Sequence, residues 1–214
     1  TSWPLSMRRV NLWMAISGRW RGPYTVKKRR QLTGNPCRWW KASLPGNALP
    51  CCSRSFRHGA DPMIHPLHQE LATRLAELLL QGGLKLVSAE SCTGGGLAHA
   101  VTAVPGSSIW FERGFVTYSD AAKRELLGVS MDTLERFGAV SEQTAVAMAV
   151  GALQHSHGDI SIAITGIAGP DGGSDDKPVG TVCFAWSRRN GPVRGTRVLL
   201  PGDRDAIRDQ SVAL

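Results

Sequence analysis

The chain has 214 residues, 42% of them hydrophobic, and a net charge of +8, which allows one ordinary domain plus an extension. No apolar run approaches the ~20 residues needed to span a bilayer, and the N-terminus lacks the apolar core of a secretory signal. The five cysteines (Cys37, Cys51, Cys52, Cys92 and Cys183) show no paired spacing of a disulfide framework or zinc site, so a reducing, cytoplasmic setting fits.

The charge is unevenly spread. Residues 1–62 hold twelve Lys or Arg against the single acid Asp61, a net +11, and the remainder of the chain carries −3. Five of the seven Trp also fall in 1–62, a stretch with no sustained period of 2 or 3.6. Three readings compete: a basic nucleic-acid arm with aromatic stacking groups, a transit peptide, and a segment translated from upstream of a wrongly chosen start. The last is favoured, because composition changes at Met63, just before the first periodic helix. Residues 1–62 are therefore expected to be disordered and without function, and 63–214 to form the working domain.

Pro66 opens a helix whose Leu71, Leu75, Leu78 and Leu79 recur at helical spacing, and Gly82-Gly83 stops it. Leu84 to Ala89 reads as a buried strand, followed by the tight turn Glu90 to Gly96 and a helix over Leu97 to Val104. Trp110 to Tyr118 is a strand. Ser119 or Asp120 can cap the next helix, which carries Lys123 and Leu126; Ser130 and Ser141 can cap two more. Asp159 to Ile164 is a second buried strand, and a Gly-rich loop runs from Gly166 to Pro178. Val179 to Trp186 and Val193 to Leu200 form a hairpin about Asn190-Gly191. Asp203 starts a helix that stops abruptly at Leu214, where the chain reads as truncated. Alternating strands and helices predict an α/β domain, and the hairpin makes its sheet mixed.

Ser91 lies between a buried strand and a helix, where free backbone N–H groups can hold an oxyanion or a phosphate. Gly94, Gly95 and Gly96 each cost a helix ~1 kcal/mol relative to Ala and so require a reason. On spacing alone, Ser91 reads equally as a plain N-cap. None of the six His sits in a recognisable catalytic or ligand motif, and neither GxSxG nor HExxH occurs. A serine hydrolase without His can use Lys as base, and Lys123, five residues after Tyr118, is the candidate. Tyr118 could relay a proton or orient the Ser hydroxyl. Spacing alone favours a buried Tyr and a solvated Lys instead. The loop Thr165 to Ser174 follows a buried strand, where α/β proteins bind ligands, but it is neither a Walker loop nor GxGxxG. Asp171, Asp175 and Asp176 read as a solvated loop rather than a metal site.

Longer stretches carry more. Ala89-Glu90-Ser91-Cys92-Thr93-Gly94-Gly95, Trp110 to Ser119, Gly138-Ala139-Val140-Ser141-Glu142, Thr165 to Gly173, Lys177 to Val182 and Pro201-Gly202-Asp203-Arg204-Asp205 closely resemble, in order, the C-terminal domain of the competence-damage-inducible protein A (CinA) family. Its stand-alone members are nicotinamide-nucleotide amidases. The resemblance implies a three-layer α/β/α fold with a mixed, five-stranded sheet. It implies hydrolysis of nicotinamide mononucleotide to nicotinate mononucleotide and ammonia, in pyridine-nucleotide recycling. Ser91, Tyr118 and Lys123 fall on the family's catalytic Ser, Tyr and Lys. Substrate contacts are expected from Cys92, Thr93, Gly94 and Gly95, and from Gly166, Ala168 and Gly169 of the second loop, without a metal or cofactor. The family's last helix continues beyond Leu214, and residues 1–62 are too short for the separate upstream domain of its larger members. The expected partner is a small molecule, with neither a membrane nor nucleic acid, and the sequence leaves self-association into a homo-oligomer open. The rival readings are a catalytically idle nucleotide-binding or competence-associated module and a nucleic-acid binder using the basic arm.

Overall fold

A computed structural model describes residues 65–214, so the expectation for 1–62 lies outside the described residues. In chain order the elements are α1 (Pro66–Gly82), β1 (Leu86–Glu90), α2 (Gly96–Thr102), a 3-10 turn (Ser107–Ile109), β2 (Phe111–Val116), α3 (Asp120–Leu127), α4 (Met131–Phe137), α5 (Glu142–Gln154), β3 (Ile160–Gly166), β4 (Thr181–Arg188), β5 (Val193–Leu199) and α6 (Arg204–Ala213). The strands form one five-stranded sheet in the order β2-β1-β3-β4-β5. β1 pairs in parallel with β2 and β3, whereas β4 runs antiparallel to both β3 and β5. The mixed sheet and α/β class expected from the sequence are present. Among the described residues, no helix is long and apolar enough to cross a membrane.

Each boundary has a local cause. Ser119, Ser130, Ser141 and Asp203 cap α3, α4, α5 and α6 by accepting from the N–H groups of Ala122, Thr133, Thr144 and Ala206. Gly83 ends α1 in the left-handed conformation that a side chain would resist.

Alternation along the strands divides the core. One face sends Leu86, Ile160, Ile164, Val182 and Phe184 against Ala72, Ala76 and Leu79 of α1, Leu97 and Val101 of α2, and Ile207 of α6. The other sends Val87, Ala89, Ala163, Cys183 and Ala185 against Leu127 of α3, Leu134 of α4 and Ala145, Met148, Ala149 and Ala152 of α5. The sheet is thus sandwiched between two helical layers, with the smaller side chains under α5.

That close packing extends to helix against helix. A Cβ added at Gly151 of α5 would lie 1.9 Å from Leu127 O at the end of α3, a contact no side chain could relieve because the obstacle is backbone. Gly151→Ala is expected to force α3 from α5 and to cost about 1–3 kcal/mol, as overpacked cores do. A denaturant midpoint equal to that of the unaltered protein would contradict this.

Candidate active site

The strands that run in parallel end on one side of the sheet, and the residues of interest lie just past those ends. β1 gives way to the turn from Ser91 to Gly95, with Ser91 N–H still in the ladder, donating to Ile164 O at 2.9 Å. Gly94 and Gly95 have φ of 61° and 96°, which only glycine adopts without strain. Gly96 has a different reason, since a Cβ there would press to 3.1 Å from Val212 Cγ2 of α6. The three glycines therefore serve a left-handed turn and a close helix crossing.

Thr117 follows β2, is fully buried, and donates its N–H to Glu90 O at 2.7 Å. Two residues on, Ser119 caps α3 and so sets the rotation of that helix. Lys123 and Leu127, four apart, share its inner face. Leu126, the apolar residue the sequence pattern emphasised, is 45% exposed.

Lys123 is 1% exposed. Its Nζ donates to Ser91 Oγ at 3.2 Å and to Thr117 O at 3.0 Å. Burial holds its ammonium below its ordinary value, with Asp120 and Cys92 pulling the other way. This reverses the reading that spacing favoured: the Lys is buried and Tyr118 is 61% exposed. The Tyr118 hydroxyl accepts from Arg204 Nη2 at 2.9 Å, and it makes no hydrogen bond to Ser91 or Lys123. The structure thus brings Ser91 and Lys123 together and leaves Tyr118 at the rim.

The N–H groups of the turn are shared out unevenly. Glu90, with 0% exposure, lies beneath it. Its carboxylate accepts from Gly95 N at 3.1 Å, Leu97 N at 3.0 Å, Ala98 N at 2.8 Å, Thr93 Oγ1 at 2.8 Å and Ser88 Oγ at 3.2 Å. It fills the helix start that Gly95, with no side chain, cannot cap. Gly94 N donates to Ser91 O and Gly96 N to Thr93 O. The N–H groups of Cys92 and Thr93 remain: neither donates to an oxygen among the described residues, and the Cys92 sulfur lies beside them. Burial pushes the Cys92 thiol up to about 11 against the pull of those same N–H groups, so this sulfur is a protonated wall and not a rival nucleophile.

The second loop starts against the turn. A Cβ at Gly166 would meet Val182 Cγ2 at 2.9 Å, Thr181 O at 3.0 Å and Cys92 Sγ at 3.1 Å. Ala168 is buried in the core layer below, and the Gly169 carbonyl accepts from Arg204 Nη1 at 2.7 Å. Thr165 Oγ1 donates to Ala139 O at 2.8 Å, tying β3 to the segment before α5. Among the described residues no group of three or more His, Cys, Asp or Glu could hold a metal ion.

Three residues escaped the sequence reading as individuals. The sequence pattern puts Glu90 in the turn after the strand, whereas it is the last residue of β1 and fully buried. Arg204 and Arg208 arrive from α6, 86 positions from Tyr118 and 116 from Cys92, and nothing local marks them.

Known proteins resemble the chain in sequence and in overall fold. The profile of the CinA C-terminal domain matches residues 68–214. The chain is 51% identical over 142 residues to the nicotinamide-nucleotide amidohydrolase PncC of Enterobacter agglomerans, covering 66% of this chain and 87% of that one. It is 49% identical over 144 residues to the protein of the same name from Escherichia coli K12, covering 67% and 87%. Among solved structures, the competence/damage inducible protein CihA from Agrobacterium tumefaciens superposes with a TM-score of 0.69 at 47% identity, covering 71% of this chain and 92% of that one. With the profile spanning well over half of its length, the chain belongs to the CinA C-terminal domain family.

Proposed function

We propose that the protein hydrolyses the carboxamide of nicotinamide mononucleotide, giving nicotinate mononucleotide and ammonia, with Ser91 as nucleophile and Lys123 as its base. The observation that carries this is the 3.2 Å contact between Ser91 Oγ and a lysine nitrogen held deep in the protein below its ordinary pKa. The names of the half-identical relatives support the substrate. A neutral Lys has two N–H bonds and one lone pair. Thr117 O takes one N–H, which leaves the lone pair able to face Ser91.

In this scheme Lys123 Nζ takes the Ser91 proton as Oγ attacks the carboxamide carbon. The oxyanion that forms lies against the N–H groups of Cys92 and Thr93, which donate to no oxygen among the described residues. Collapse breaks the C–N bond, Lys123 returns the proton to the leaving nitrogen, and ammonia departs. Water then gives a proton to Lys123 and its oxygen to the acyl carbon, releasing the acid, and Lys123 reprotonates Ser91. Tyr118 acts from the substrate side: its oxygen accepts from Arg204, so its own O–H is available to the ligand. Gly94, Gly95, Gly166, Ala168 and Gly169 supply the backbone walls around the nucleotide.

The test is ammonia release from nicotinamide mononucleotide, with nicotinate mononucleotide identified as co-product. Turnover that yields both in equal amounts is expected. Binding of the nucleotide without cleavage would instead favour an idle nucleotide-binding module, and neither binding nor cleavage would overturn the substrate.

A further inference from the structure

Two N–H groups in the Ser91 turn, those of Cys92 and Thr93, donate to no oxygen among the described residues, and a different device orients each. A trans peptide is rigid, so its N–H points opposite to its C=O, and fixing one end aims the other. The Cys92 N–H shares a peptide with Ser91 O. That carbonyl accepts from Gly94 N at 3.0 Å, so the turn itself sets this group. The Thr93 N–H shares a peptide with Cys92 O, which no backbone donor among the described residues engages. Its partner is a side chain: Arg208 donates from Nε to Cys92 O at 3.2 Å and from Nη2 to Thr93 O at 3.2 Å.

We propose that Arg208, on the last helix, is a positioning residue for the oxyanion hole: it grips the carbonyl side of the Cys92–Thr93 peptide and so aims the Thr93 N–H at the charge that develops beside Ser91. The inference rests on the assignment of those N–H groups to the oxyanion. A guanidinium suits this task because its planar fork spans two neighbouring carbonyls, which an ammonium cannot do. Its positive charge also polarises the peptide it holds, making the opposite N–H a stronger donor. The grip is independent of the core: the Arg208 side chain is 39% exposed, and its carboxylate neighbour among the described residues is Asp205, 3.9 Å away. Arg204, one turn earlier, does something else, bridging Tyr118 and Gly169 O.

The experiment compares Arg208→Met and Arg208→Lys with the unaltered chain in two reactions. One is steady-state ammonia release from nicotinamide mononucleotide. The other is acylation of Ser91 by p-nitrophenyl acetate, a small ester that needs the oxyanion hole but no nucleotide site. Loss of an oxyanion donor costs about 10²–10³-fold in kcat, and a misaimed donor less. Arg208→Met is therefore expected to lower kcat about 10–100-fold with KM within about threefold, to slow ester acylation equally, and to leave the thermal midpoint in place. Arg208→Lys should fall between. A raised KM with kcat unchanged would make Arg208 a group that binds substrate in its ground state, and would overturn the proposal. So would ester acylation at the unaltered rate in both variants. If the unaltered chain fails on the nucleotide yet its ester acylation still depends on Arg208, the amidase reading falls and the positioning role stands. If Ser91 is not acylated at all, both fall. Should Arg208→Met fail to fold, Arg208→Lys carries the same comparison.

Discussion

Ser91→Ala is expected to lower ammonia release by about 10⁴-fold or more, the scale on which serine hydrolases lose activity with their nucleophile, and to leave the protein folded. The second half of this expectation follows from how little the hydroxyl does for the fold. Its hydrogen bond is to Lys123 Nζ, and that nitrogen keeps Thr117 O when the hydroxyl is gone. Ser91 N–H continues to donate to Ile164 O, so the turn keeps its attachment to β3. Removing one such side-chain bond costs about 0.5–1.5 kcal/mol, well inside the stability of an ordinary domain. Turnover and a thermal melt on the same preparation check both halves. Turnover that survives in the folded variant would move the nucleophile elsewhere.

Lys123→Ala is expected to cost a similar number of orders of magnitude, and Lys123→Arg to restore nothing. Arg keeps the charge but cannot lose its proton, so the Arg variant separates a base from a mere cation: recovery with Arg would show that only charge is needed. The pH dependence carries the same distinction. Burial lowers the Lys123 pKa below 10.5 in the folded state, with Asp120 and Cys92 opposing. As pH rises through the lowered value, the neutral amine appears and kcat/KM rises with it. That alkaline limb should vanish in Lys123→Ala. The sign for stability follows from the same shift. Between the lowered value and 10.5 the unfolded chain binds more protons than the folded one, so folding stability increases with pH across that window. Below it both states are protonated and the cost of burying the charge is paid in full. A thermal midpoint that climbs with pH in the unaltered protein, and no longer does so through Lys123 in the Ala variant, is the corresponding measurement.

Most of the fold was legible because its causes are local. Ser119, Ser130, Ser141 and Asp203 lie where an N-cap must, and Asn190-Gly191 turns the hairpin with Asn190 at φ 56°. Strand ends shifted by one or two residues, since apolar runs do not reveal where pairing begins. The site was legible in part. Resemblance singled out Ser91, Tyr118 and Lys123, of which the structure brings Ser91 and Lys123 into contact; spacing could not, because it fixed neither the rotation of α3 nor the burial of its inner face. Leu127 and not Leu126 turns inward, and Lys123 goes with it. Arg204 and Arg208 were illegible for a different reason: their partners are brought together by the packing of α6 on the sheet, a property of the whole fold that no window of sequence contains.

Glu90 takes the start of α2 out of the chemistry. A helix start offers free N–H groups to anions, but that of α2 is already satisfied by an acid from its own chain. Under the proposed reaction the donors left for the oxyanion are therefore those of the turn itself, at Cys92 and Thr93. The helix start serves the fold, and the chemistry falls to two peptides whose direction Gly94 and Arg208 hold.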